Sequence, residues 1–203
     1  MPATRPHVDR DVKRAEILDA AETRLLRDGY EDTAMAAIAR DAGVANNAVY
    51  WYFTSKDELL AAVLQRRQER GLEELEARAP ATVEDRVLGL LAQLDEVANL
   101  TAAVHDRAAR SEAVAGTHER FHQLAERFLG AGFRDAGLAA ADAKRASAAV
   151  MAMVEGIHLH EPERDPASRD RLILWTLRRL VAPAGRRRAS RRPAATGALA
   201  APR

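Results

Sequence analysis

The stretch Thr33–Lys56, TAMAAIARDAGVANNAVYWYFTSK, constrains the fold of this 203-residue chain more than any other. Met35, Ile38, Ala39 and Ala42 recur at helical spacing, and Gly43 breaks the run. Val44 then pins a tight turn, and a second short helix is expected over about Ala45–Tyr52, with Val49 and Phe53 facing inward. Thr33 is expected to be the N-cap of the first of these helices. Asn46, Asn47, Tyr50 and Trp51 are left looking outward. Ser55-Lys56-Asp57-Glu58 fits a capping box, with Ser55 as the N-cap of a long third helix.

Two helices this short need support. Upstream, Ile17, Leu18, Ala21, Leu25 and Leu26 define an amphipathic helix over about Arg10–Asp28, with Gly29 as its C-terminal cap and Tyr30 folding back. Downstream, helices are expected over about Lys56–Arg78, 82–98, Leu100–Arg110, 111–131, Ala139–His160 and Ala167–Ala182. Pro80, the glycines at 130, 132 and 137, and the Pro162–Pro166 loop are expected to separate them. Ala and Leu dominate, β-branched residues are sparse and no segment alternates like a strand, so the fold class is all-α. The organisation read from this pattern is an N-terminal arm and three-helix helix-turn-helix domain over 1–54, a helical domain over 55–182, and a disordered basic tail over 183–203.

The absence of cysteine excludes disulfides, thiolate zinc sites and thiol nucleophiles. No leader-like segment opens the chain and no apolar run is long enough to span a membrane, so a cytoplasmic protein with no membrane partner is expected. The net charge of +1 hides an asymmetry. The tail holds six of the 31 basic residues and no acid, which leaves 25 basic against 30 acidic residues in 1–182, a net of −5. Residues 1–60 hold 8 basic and 11 acidic residues, so a nucleic-acid contact there must rest on individual placement, with Arg5 of the arm as one contributor.

The residues ILDAA at 17–21, Gly29-Tyr30, Thr33, Ile38-Ala39, Ala42-Gly43-Val44, Val49 to Phe53, Ser55-Lys56 and Leu59-Leu60 together resemble the TetR family of bacterial transcriptional regulators over about residues 14–64. The resemblance implies a homodimer, most often a repressor, whose recognition helices enter successive major grooves of a palindromic operator in double-stranded DNA. By position, Thr33, Tyr50, Tyr52 and Lys56 are expected at the DNA backbone, and Ala45, Asn46 and Asn47 nearest the bases. The chemistry agrees, since an Asn amide can bond an adenine edge in two places. Two positions depart from the common pattern: Ala34 lacks a hydroxyl found in many relatives, and Asn46-Asn47 replaces a pair that is often small or glycine-containing.

The resemblance also implies a C-terminal ligand-binding and dimerisation domain that encloses a small-molecule effector. No resident metal, cofactor or catalytic residue is expected. Pocket candidates are Leu91, Leu94, Val104, His105, Phe121, His122, Phe128, Met151 and Trp175. The dimer interface is expected on Ala149, Ala152 and Gly156, whose small side chains permit close approach, and on the apolar stripe Leu172, Ile173, Thr176, Leu177 and Leu180.

One motif points elsewhere. His118-Glu119-Arg120-Phe121-His122 matches H-E-x-x-H, which sets two imidazoles one helical turn apart beside a general base. It frames the alternative of a zinc-dependent hydrolase using His118, Glu119 and His122, or of metal binding helped by Glu155 or His158. Against the hydrolase, Ala125 and Phe128 occupy the later glycine and histidine positions of the extended motif, and no sheet is expected to hold a peptide.

Overall fold

The computed structural model describes residues 8–182, and all of its regular structure is helical. The elements are α1 (Val8–Asp28), α2 (Met35–Asp41), α3 (Asn46–Val49), α4 (Lys56–Ala77), α5 (Val83–Asp95), α6 (Thr101–Ala108), α7 (Glu112–Asp135), α8 (Ala140–His160) and α9 (Pro166–Val181). A single 3₁₀ turn, Ala98–Leu100, leads into α6. Most of the arm, including Arg5, and the whole basic tail lie outside the described residues. Among the described residues no single helix is long and apolar enough to cross a membrane.

Two apolar clusters organise the packing. The first joins Ile17, Leu18, Ala21 and Leu25 of α1 to Ile38 and Ala39 of α2, Val49 of α3 and Phe53. It does not stop at residue 54, because Leu59, Leu60, Val63 and Leu64 of α4, with Leu100 and Val114, complete it. The second gathers Val87 and Leu91 of α5, Phe128, Leu129 and Phe133 of α7, Val150, Met151 and Val154 of α8, and Ile173 and Leu177 of α9. Helix α4 belongs to both, since its distal end supplies Leu75 to the second cluster. One continuous helix therefore connects the two clusters.

Local chemistry explains most helix ends. Ser55 Oγ accepts the Glu58 N–H at 3.1 Å, as expected, but the Glu58 carboxylate reaches one residue further and accepts the Thr54 N–H at 2.6 Å. A reciprocal capping box occurs instead between Thr82 and Asp85 at the start of α5. Asp165 caps α9, whose first residue is Pro166, a position that needs no N–H donor.

Three expectations are corrected. Thr33 does not cap α2; Ala34 holds that position, and the buried Thr33 hydroxyl donates to the Gly29 carbonyl at 2.6 Å, closing the end of α1. Helix α3 is regular only to Val49, after which Trp51 and Tyr52 donate to carbonyls three residues back, a tighter winding that turns the chain toward α4. Gly130 and Gly132 do not end α7, which continues to Asp135. A side chain at Gly132 would stand 2.5 Å from Arg86 Cδ, so this glycine permits the close passage of α5. The break comes at Gly137, whose φ of 92° is open to glycine at little cost.

Candidate functional site

Helix α3 is exposed along its N-terminal end. Ala45, Asn46 and Asn47 face solvent at its N-terminal end, while Val49 is fully buried beneath them. Tyr50 is half-exposed, and Tyr52 packs partly against the head core. Trp51 is 77% exposed, although sequence reasoning did not place it in the contact set. Its signal lay in the aromatic run from 50 to 53, of which only Phe53 is fully buried. Thr33 is the exception to the expected surface, since it is buried.

Lys56 sits in the first turn of α4 and leans inward. Its Nζ lies 4.2 Å from the centre of the Tyr30 ring and donates to the Glu31 carbonyl at 3.3 Å. Burial there lowers its pKa, against the pull of Glu31, Asp32 and Asp57.

The head is tied to the body by ion pairs. The Tyr30 hydroxyl donates to Asp57 Oδ1 at 2.5 Å, and Arg107 of α6 grips the same carboxylate through Nε at 2.9 Å and Nη2 at 2.5 Å. Arg107 is the main cause that holds the Asp57 carboxyl below its usual range. Desolvation and the Asp57 bond both push the Tyr30 phenol upward. On the other side of α4, Glu22 of α1 accepts from Arg66 at 2.6 Å, Arg67 at 2.7 Å and Arg70 at 2.5 Å. Glu22 and Asp19 of the head thus pair with arginines of α4.

Inside the body, α4 to α8 enclose an apolar cavity of about 130 Å³. Its size is close to the ~150 Å³ that takes one aromatic ring. Of the residues expected at an effector pocket, Leu94, Val104, His105, Phe121 and Phe128 line this cavity. Leu91 and Met151 belong to the plain core, and Trp175 is 58% exposed on the outer surface, so none of these three lines the cavity. Sequence reasoning missed the contribution of α4, which supplies Leu64, Gln68 and Leu72 among others. The Gln68 Oε1 is buried with no hydrogen-bond partner among the described residues.

One wall of the cavity is polar. His118 and His122 of α7 converge one turn apart, with Nε2 atoms separated by 3.4 Å. Glu155 of α8 meets them, its Oε1 2.6 Å from His122 Nε2 and 3.4 Å from His118 Nε2. The His105 ring of α6 stands edge-on to that of His118, with centroids 4.8 Å apart. Burial alone would raise the pKa of Glu155, but the bonds from His118 and His122 outweigh it and bring the value down to about 2. The bond to Glu155 raises His122, and burial lowers His105. His122 stands behind this wall rather than on the cavity surface. Glu119 is exposed and accepts from Gln123 at 2.9 Å, whereas the carboxylate that meets the paired imidazoles is Glu155. That geometry gives the hydrolase alternative no support.

On the outside of α8 and α9, Ala149, Ala152, Leu172 and Leu180 are exposed, with Gly156 and Thr176 partly so. Leu159 and Trp175 extend this apolar face. Ile173 and Leu177 were expected on it, but both are fully buried in the body core.

A short solvent-facing helix, held at a tight turn by a three-helix support and carried on a helical body with its own cavity, defines the class of all-helical proteins with an N-terminal helix-turn-helix. Residues 17–63 match the sequence pattern of the tetR family of bacterial regulatory proteins. The chain is 34% identical over 76 residues to the HTH-type transcriptional regulator YfiR of Bacillus subtilis (strain 168), covering 37% of this chain and 36% of that one. It is 47% identical over 55 residues to the HTH-type transcriptional regulator SrpR of Pseudomonas putida, covering 27% and 26%. The matched stretch thus spans about a third or less of the length of these curated relatives. The likeness in fold runs further: a TetR transcription regulator from Haloarcula marismortui ATCC 43049 matches with a TM-score of 0.68 over 85% of this chain and 97% of that one, at 20% identity.

Proposed function

We propose that the chain is a cytoplasmic, homodimeric, ligand-responsive transcriptional regulator, in the sense of a repressor, that binds a palindromic operator and is released by a small-molecule effector. The observation that carries this reading is the joint placement of two features on α4. Its N-terminal part buries Leu59 and Leu60 in the same apolar cluster as Val49 of α3, and its middle lines the apolar cavity.

In this reading Asn46, Asn47 and Ala45 face base edges, while Tyr50, Tyr52 and Lys56 contact phosphates. The DNA replaces the carbonyl of Glu31 as the partner of the Lys56 ammonium. Residues 1–54 act as the reading head and 55–182 as the effector and dimerisation part. The exposed face of α8 and α9, with Ala149, Ala152, Gly156, Leu172, Thr176 and Leu180, pairs with its copy. Effector in the cavity displaces α6 or the middle of α4, and Arg107–Asp57 passes that motion to the head. The cavity chemistry favours an apolar ligand of about one ring with a hydrogen-bond donor for Gln68 Oε1.

Selection from random duplex DNA tests the reading. A palindromic consensus bound by two protomers is the expected result, and enrichment of no consensus overturns it.

A further inference from the structure

The polar wall of the cavity carries chemistry that an apolar effector does not need. We infer that His105, His118 and Glu155 form a site for one divalent first-row transition-metal ion of the zinc or cobalt class, with its open coordination position facing the cavity. The inference concerns what the chain binds. Only the regulatory consequence of that binding rests on the function proposed above.

Three observations support it. The ligand atoms of His105, His118 and Glu155, supplied by three different helices, all lie within 4.8 Å of one another. Bonds of about 2.0–2.2 Å in a tetrahedral site place ligand atoms roughly 3.4 Å apart. His118 Nε2 and Glu155 Oε1 already stand at 3.4 Å, so only His105 has to swing inward. All three side chains also border the cavity, so a water or a ligand donor atom can complete the coordination.

The neighbouring His122 has a different part. Its Nε2 is 2.6 Å from Glu155 Oε1, which is a hydrogen bond and too short for the edge of a coordination tetrahedron. His122 is therefore the positioning residue that aims the carboxylate, as outer partners of metal ligands commonly do. A plain ion pair between His122 and Glu155 would require neither His105 nor His118. With imidazole and carboxylate donors and no cysteine in the chain, zinc, cobalt or nickel suits the set better than a thiophilic ion.

The test is titration of the full chain with Co²⁺ and Zn²⁺ in the absence of DNA, so a failed operator search leaves it decidable. One Co²⁺ per protomer is expected, with the d–d absorption of a four- or five-coordinate nitrogen and oxygen site, displaced by Zn²⁺. H105A, H118A and E155Q should each weaken binding by at least about 100-fold with unchanged circular dichroism, whereas H122Q, which still donates to Glu155, should stay within about tenfold. Absence of stoichiometric binding at micromolar metal overturns the inference. So does binding that survives H105A and H118A, or that is lost in H122Q as fully as in H118A. If H118A does not fold, H105Q, at the outer edge of the cluster, gives the same reading.

Discussion

Arg107 on α6 holds Asp57 on α4 through two hydrogen bonds of 2.9 and 2.5 Å, and Asp57 in turn accepts from Tyr30 at the end of α1. One carboxylate therefore joins the head, α4 and a helix of the cavity wall. Two turns of α6 carry Thr101, Val104 and His105 on the cavity and Arg107 on this link.

If the link transmits the effector signal, Arg107→Ala should leave a folded protein that binds DNA but responds to effector at least about fivefold more weakly. Paired operator titrations with and without effector measure this. An unchanged response would show that the motion travels along α4 alone. The Asp57 carboxyl is held low by Arg107, so its contribution to stability is complete above the unfolded value of about 3.9 and fades as the pH falls through the lower folded one. Acid melting curves of wild type and Asp57→Asn should accordingly converge at the acid end.

In the head, Asn46→Ala should change which sequences are preferred, whereas Tyr50→Ala and Lys56→Ala should weaken binding to all of them. Loss of the Lys56 contact should also flatten the salt dependence by about one unit of slope per protomer. Trp51→Ala should alter stability by less than about 0.5 kcal/mol, because the ring is exposed. It should nevertheless weaken DNA binding, and DNA should change the Trp51 fluorescence. Unaltered emission on saturation with operator would remove Trp51 from the interface.

The cavity should accept a probe of one aromatic ring. Toluene is expected to raise the melting temperature of the wild type, and Val104→Phe, which fills the space from α6, should abolish the shift at a stability cost under about 1.5 kcal/mol. A toluene shift that survives Val104→Phe would place the binding site elsewhere.

The outer face of α8 and α9 separates two kinds of substitution. Leu172→Glu, at a position 39% exposed, should yield a folded monomer by sedimentation. Ile173→Ala, one residue on but fully buried, should instead cost about 2–5 kcal/mol of stability with the oligomeric state retained. A dimer that persists in Leu172→Glu would move the interface off this face.

The sequence by itself determined the helices, their caps at Ser55 and Gly29, and the exposed identity of Asn46, Asn47 and Tyr50. These follow from local periodicity and turn chemistry within a few residues. It misread Thr33 because a buried carbonyl one turn upstream at Gly29 outcompetes the amides of α2 for the hydroxyl. It also misplaced Ile173, Leu177 and Trp175, since a wide apolar stripe shows that a helix has an inner face without showing where its edges fall. Only the tertiary structure brought His122 to Glu155, Arg107 to Asp57 and Arg169 to Asp95. Those partners lie 33, 50 and 74 residues apart in the chain. No local pattern encodes such a meeting; it is decided by which faces of α4 to α9 pack together once their apolar sides are buried.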